Sequence, residues 1–183
     1  MTALPSQQRR SHFLVNTVFN GLLFNITWFA IVFTHNNVFA VLFVTAHMLV
    51  HFSLMGQGWV EIRLITGVTL MGAVVDRLLF YYGVLALDGH SAMAPFWLTC
   101  LWPVLATTFR HAFSSLQQRP LLAAVLGAVG GSLSYSAGAA LSDISFGDSM
   151  TGPVVMALLW AVLFPLLLLA ANFHAGLKEE TGV

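Results

Sequence analysis

The sequence predicts an all-α membrane protein, a bundle of six transmembrane helices with both termini in the cytoplasm. Two features of the composition support this: 58% of the 183 residues are hydrophobic and only 8% are charged. A soluble domain carries about 25% charged residues, and one small core has no room for so much apolar surface. The third feature is a series of six apolar runs, each close to the length of about 20 residues that crosses a bilayer as a helix.

The six predicted spans form a single integral membrane domain over residues 1–183, and turn-forming residues separate them. Asp88-Gly89-His90 and Gln117-Gln118-Arg119-Pro120 are two of these breaks. Within lipid, backbone polar groups need partners in their own segment, so each span is predicted to be helical. The predicted spans are about 12–34, 37–56, 62–86, 93–115, 120–142 and 151–174.

Arginine and lysine set the predicted orientation, because short cytoplasmic loops are enriched in both. With the N-terminus inside, the three outer loops contain neither residue. We therefore expect a multi-pass membrane protein with its N- and C-termini on the cytoplasmic side. The net charge of zero gives no reason to expect a nucleic-acid partner. The cations of the predicted cytoplasmic pieces are Arg9, Arg10, Arg63, Arg119 and Lys178.

Ionisable residues inside a span cost about 2.5–3.5 kcal/mol each on insertion scales, and they are functional candidates for that reason. Asp76 and Arg77 lie near the middle of the third predicted span, and His111 lies near the inner end of the fourth. Asp76 suits a proton carrier, a general base or a metal ligand. The alternative is a structural ion pair with Arg77 or Arg110. Asp76, His111 and Arg77 are the predicted catalytic residues.

His47 and His51 are four residues apart, so they lie on one face of the second predicted helix. Two imidazoles on one face can hold a metal with a carboxylate as third ligand. Asp76, Glu61 and His111 are available to complete such a site. The alternative is that each histidine forms a hydrogen bond across a helix interface. A divalent metal is thus a candidate cofactor, with His47 and His51 as its predicted ligands.

Other polar residues are predicted to bind a substrate, with membrane lipids as the expected partners. Arg110 lies near the inner interface, where it suits a lipid phosphate or serves as a positive-inside anchor. Most polar positions lie between the midplane and the cytoplasmic side, which predicts a polar cavity open towards the inner leaflet. The predicted substrate-binding residues are Arg110, Asn20, Thr107, Ser134 and Tyr135.

Small residues recur at intervals of four in the fifth predicted span. Gly127 and Gly131 form one such pair, and Gly130, Ser134 and Gly138 form a second series. This spacing lets helices approach closely. It predicts tight packing inside the bundle, and a homodimer is the lesser alternative.

Several stretches resemble an uncharacterised family of small six-helix bacterial inner-membrane proteins, known only as a domain of unknown function. They include Asp76-Arg77-Leu78-Leu79, Pro95-Phe96-Trp97-Leu98, Ala106-Thr107-Thr108 and residues 127–135, with Ser132 where the family pattern has proline. The resemblance covers most of the chain and implies a six-helix inner-membrane protein. Family members are often encoded near lipid-modifying genes, so it also implies a role in membrane-lipid modification or in a lipid-related stress response.

Three functions are compatible with these features. The first is an enzyme or accessory protein that acts on lipids, and the inward polar residues favour it. The second is a small-molecule or proton-coupled transporter, in which Asp76 carries a proton or cation. The third is a non-catalytic scaffold whose polar residues stabilise the bundle. No motif in the sequence assigns a reaction.

Overall fold

A computed structural model describes the backbone of residues 6–87 and 93–180 and the side chains of residues 15–87 and 93–172. The fold is all-α, as predicted. Within these ranges, five helices are long and apolar enough to cross a membrane. The helices are α1 Ser6–Thr34, α2 Asn37–Leu54, α3 Trp59–Tyr81, the short α4 Phe96–Thr99 and α5 Leu101–Ala106, then α6 Pro120–Leu141 and α7 Thr151–Glu180.

The outer surface of the long helices is apolar. Phe33 on α1, Leu121 on α6 and Leu158 on α7 are among many large hydrophobic side chains that are exposed. Exposed apolar surface on this scale is unfavourable in water and favourable in hydrocarbon. The surface is therefore compatible with lipid as the surrounding solvent.

The fourth predicted span, residues 93–115, is not the continuous helix that was expected. Pro103 has no backbone N–H for the carbonyl of Thr99, so α4 and α5 are separate short helices. After α5, the hydroxyls of Thr107 and Thr108 bond the carbonyls of residues 104 and 105 at 2.7 and 2.6 Å, and tight turns replace the helix. Irregular backbone is tolerated at membrane depth where protein covers it. Thr107, Thr108 and Phe109 are fully buried. We call residues 93–116 the broken segment.

Two short strands, which the apolar runs did not predict, close one end of the bundle. β1 (Leu85–Leu87) pairs antiparallel with β2 (Ile144–Phe146). Gly147, the residue after β2, lies so close to the carbonyl oxygen of Gly83 that an added Cβ atom would collide with it. At the start of α7, the backbone N–H groups of Thr151 and Met150 donate to Asp148, which lowers the pKa of that carboxyl. We call this the strand end.

The opposite end, which we call the turn end, is held by polar contacts. The turn at residues 55–58 joins α2 to α3, and Arg110 donates to Gln57 Oε1 at 2.7 Å and to the carbonyl of Ala171 in α7 at 3.5 Å. Asn20 of α1 accepts a hydrogen bond from the backbone N–H of Ala112 at 3.3 Å. The first part of α1 and the last part of α7 therefore lie at the same end of the bundle.

Of the two predicted series of small residues along α6, the pair Gly127 and Gly131 packs closely, whereas Gly130 and Gly138 have open space around an added Cβ. A Cβ atom added to Gly127 or Gly131 would collide with Trp160 of α7, so only glycine permits this packing. The ring of Trp160 stacks on that of Trp102 with centroids 5.6 Å apart. Gly72 of α3 makes the same kind of room for Trp102. Three glycines thus allow two indoles to occupy the centre of the bundle.

Candidate functional site: two buried polar groups and an apolar cavity

The first polar group lies near the turn end and contains His51, Glu61 and His111. Nε2 of His51 lies 2.9 Å from Glu61 Oε1, and Nε2 of His111 lies 3.1 Å from the same oxygen. The residues come from α2, from the first turn of α3 and from the broken segment, and all three are buried. We call them the His51 cluster.

The other oxygen of Glu61 is held separately. Its Oε2 accepts the backbone N–H of Gln57 at 2.8 Å, and the side chain of Gln57 accepts from Arg110. Arg110 therefore fixes the turn that orients Glu61. The sequence predicted that Arg110 binds a lipid phosphate. In the structure, it is half-buried and its described contacts are with protein groups.

His47 lies one turn from His51 but does not join this cluster. Its two ring nitrogens face hydroxyl oxygens, Nδ1 that of Thr27 at 2.9 Å and Nε2 that of Thr107 at 3.1 Å. Asn20 adds a longer contact at 3.4 Å to the carbonyl of Thr107. His47, Asn20 and Thr107 thus join α1, α2 and the broken segment. A metal held by His51 would take Glu61 and His111 as its other ligands, and not His47.

The second polar group surrounds Asp76, which is fully buried in α3. The indole N–H of Trp102 donates to Asp76 Oδ2 at 2.8 Å, and the Tyr135 hydroxyl donates to Oδ1 at 3.2 Å. The Thr99 side chain is a further hydrogen-bond partner. Asp76 therefore connects α3 with the broken segment and α6.

A cavity of about 600 Å³ lies between α1, the broken segment, α6 and α7. Its lining is mainly apolar, so the expectation of a polar cavity is wrong. Phe29, Leu126 and Leu133 line it while remaining 54%, 45% and 64% exposed, which places the mouth on the lipid-facing surface between α1 and α6. Trp102 and Tyr135 belong to the wall. Asp76 lies behind them, where it fixes both side chains.

Two hydrogen-bond donors of the cavity wall have no partner among the described residues. They are the buried indole N–H groups of Trp97 and Trp160. An unsatisfied buried donor costs about 1–3 kcal/mol. A ligand that carries an acceptor oxygen would lower this cost.

The predicted catalytic residues do not form one constellation. Asp76 belongs to the aromatic group at the cavity, His111 belongs to the His51 cluster, and Arg77 lies on the exposed face of α3. Among the predicted substrate-binding residues, Ser134 and Tyr135 line the cavity. Asn20, Thr107 and Arg110 instead make the structural contacts described above.

The tryptophans of the cavity wall were not predicted as site residues. Trp28, Trp97, Trp102 and Trp160 line the cavity, and the fifth, Trp59, is exposed. Tryptophan in membrane proteins is enriched at the two interfaces. Trp28, Trp102 and Trp160 lie well inside apolar runs. This unusual position was the feature of the sequence that could have identified them as site residues.

The exterior is apolar, five helices in the described ranges are long enough to cross a membrane, and polar groups are buried between them. These features are compatible with the class of multi-pass membrane proteins. Residues 17–166 match the family described as Protein of unknown function (DUF2878), and the protein belongs to that family. No curated protein and no solved structure matches the chain.

Proposed function

We propose that the protein is a lipid-binding protein of the bacterial inner membrane that holds one hydrocarbon chain of a membrane lipid in the cavity. The observation that carries this proposal is an apolar cavity of about 600 Å³ whose mouth is lined by exposed apolar side chains. Binding cavities for small molecules have volumes of about 300–1,000 Å³. A lipid chain can enter through such a mouth without passing through water.

The length of the cavity supports a lipid chain as the occupant. Its lining extends along α1 from Gly21 to Val32 and along α6 from Leu126 to Gly138. Eleven to twelve residues of helix rise by about 16–18 Å. One leaflet contributes about 15 Å to the hydrocarbon core, which is half of the bilayer value. The cavity therefore matches the depth that one lipid chain occupies.

The polar groups of the wall favour a lipid with ester or other acceptor oxygens. Trp97 lies at the strand end, where its backbone N–H donates to the Asn37 side chain at 3.0 Å, and its indole N–H has no partner among the described residues. Near the end of a lipid chain, an ester carbonyl would accept this hydrogen bond. Binding of one lipid fits the role in membrane-lipid modification or lipid-related stress response that the family resemblance implies.

Fluorescence quenching by brominated lipid tests the proposal directly. Trp59 is 76% exposed, whereas the four other tryptophans are buried and line the cavity. In a Trp59→Phe background, the whole tryptophan signal comes from the cavity wall. We expect dibrominated phosphatidylcholine in the reconstituted bilayer to quench this signal, because bromine quenches indoles only at close contact.

Two glycines provide a matched pair of variants for this measurement. Gly138 is buried in the cavity wall, and an added Cβ would meet no atom within 4 Å. Gly138→Leu should fill the cavity and remove most of the quenching. Gly67 of α3 also has open space around an added Cβ but lies outside the cavity, so Gly67→Leu should leave the quenching unchanged. Equal quenching in both variants, or none in the Trp59→Phe protein, would contradict the proposal.

A further inference from the structure

We propose that His51, Glu61 and His111 form a binding site for a divalent transition metal, with Zn²⁺ as the ion that fits best. Each residue offers one ligand atom, and the three atoms all lie within 4.8 Å of one another. The Nε2 atoms of both histidines face Oε1 of Glu61. Two imidazoles and one carboxylate are a common zinc ligand set. This site is separate from the lipid cavity, whose lining includes none of the three residues.

The distances are close to those of a coordinated ion. Zinc binds histidine nitrogen at about 2.0–2.1 Å, so two ligands of a tetrahedral ion lie about 3.3 Å apart. In the structure, the two Nε2 atoms lie 2.9 and 3.1 Å from Glu61 Oε1. The ligand atoms of the two histidines lie within 4.8 Å of each other, so small movements of the side chains would bring all three to the spacing around an ion, whose fourth position would stay open for water or a substrate.

The surroundings of Glu61 already orient it for binding through one oxygen. The backbone N–H of Gln57 holds Oε2 at 2.8 Å, which leaves Oε1 to face the two histidines. Arg110 in turn holds the Gln57 side chain. Contacts of this kind around a ligand raise metal affinity because they fix its direction before the ion arrives.

Charge also favours a cation at this position. Glu61 is fully buried, and in the described part of the chain its ion-pair partners are the two histidines. A buried carboxylate is costly unless it is paired or coordinates a metal. On binding, each imidazole gives up the Nε2 proton that it donates to Glu61, presents the Nε2 lone pair to the ion and carries its proton at Nδ1 instead. Nδ1 of His51 is buried without a hydrogen-bond partner, so this change breaks no other bond of that ring.

Metal titration of the purified full-length protein in detergent tests this inference. Co²⁺ serves as the spectroscopic probe, because its visible absorption is strong only in tetrahedral sites, and Zn²⁺ serves as the competitor. We expect one Co²⁺ per chain with a tetrahedral spectrum that Zn²⁺ abolishes. Glu61→Gln and His111→Gln each remove one ligand, and should weaken Zn²⁺ binding by about 100-fold or more.

His47→Gln is the matched control, since His47 is a buried histidine on the same face of α2 whose ring contacts two threonine hydroxyls instead. It should retain the affinity for Zn²⁺. X-ray absorption of the zinc-loaded wild-type protein should show two imidazoles with Zn–N at about 2.0–2.1 Å, and this measurement needs no folded variant. A spectrum without imidazole ligands, or equal losses in His47→Gln and His111→Gln, would leave only a hydrogen-bonded cluster. Lipid quenching would remain intact in that case.

Discussion

Asp76 accepts hydrogen bonds from Trp102 and Tyr135, and both donors belong to the cavity wall while Asp76 lies behind it. Its place in the structure is that of a positioning residue, which fixes two aromatic side chains against the cavity. This differs from the direct catalytic role that an ionisable residue in the middle of a span suggested. The positioning role of Asp76 can be tested by comparing a conservative replacement of this residue with an apolar one.

Asp76→Leu should destabilise the protein far more than Asp76→Asn. Leucine leaves Trp102, Tyr135 and Thr99 without this acceptor, at about 1–3 kcal/mol for each donor left unsatisfied. Asparagine retains one acceptor oxygen for Trp102, and its amide can donate to the Tyr135 oxygen, so the loss should be below about 1 kcal/mol. Reversible unfolding in mixed micelles measures both values. Equal destabilisation by the two variants would show that the carboxylate charge, and not its hydrogen bonds, holds the wall in place.

At the residue scale, sequence reasoning found the unusual groups but not their partners. Asp76, His51 and His111 stood out because ionisable residues inside spans are rare. The i, i+4 spacing paired His51 with His47, yet the structure pairs it with Glu61, which the sequence offered as one of three further ligands without distinguishing it from Asp76 and His111. Partners across helices depend on how helices rotate about their axes, and a single sequence does not contain that information.

At the scale of elements, the broken segment joins the two sites. His111 contributes to the His51 cluster, while Trp102, Leu105 and Thr108 line the cavity. The apolar length of this segment predicted a helix, because hydropathy reports burial and not backbone geometry. Pro103 and the two threonines after α5 were visible in the sequence. Their effect depends on a protein environment that satisfies the irregular backbone.

The packing of α6 on α7 can be tested by replacing two adjacent glycines of α6, one at a time, with alanine. A Cβ added to Gly131 collides with Trp160, whereas one added to Gly130 meets nothing within 4 Å. Both substitutions by alanine gain the same helix propensity, about 1 kcal/mol. The difference between Gly131→Ala and Gly130→Ala therefore isolates the overpacking cost, which we expect to be about 1–3 kcal/mol. Unfolding of the two variants in mixed micelles measures this difference, and equal stability would mean that α6 and α7 are farther apart.

At the scale of the whole molecule, the bundle has two chemically different ends. The turn end carries Arg63, Arg110 and Arg119 together with the His51 cluster, and the strand end carries Asp143 and Asp148. The number of apolar runs predicted this alternation of ends, since consecutive helices in a bundle run in opposite directions. The strands β1 and β2 were not predicted, because three-residue strands between apolar helices leave no periodic signal.

Which end faces the cytoplasm is the last prediction. Short loops that carry arginine and lysine lie on the cytoplasmic side of the membrane, so we expect the turn end to be inside and the strand end outside. The native Cys100 is buried, and Cys100→Ala gives a background without thiols. In that background, Ser149→Cys at the strand end and Gln118→Cys at the turn end each place a thiol at an exposed position.

A membrane-impermeant maleimide applied to intact spheroplasts should label the Ser149→Cys protein at once. It should label the Gln118→Cys protein only after the membrane is opened with detergent. This outcome would place the His51 cluster towards the cytoplasm, where the cell's metal pool would reach it, and Trp97 towards the outer leaflet. The reverse pattern would mean that the three arginines face outward, and the lipid held in the cavity would then enter with its ester groups near the cytoplasmic surface.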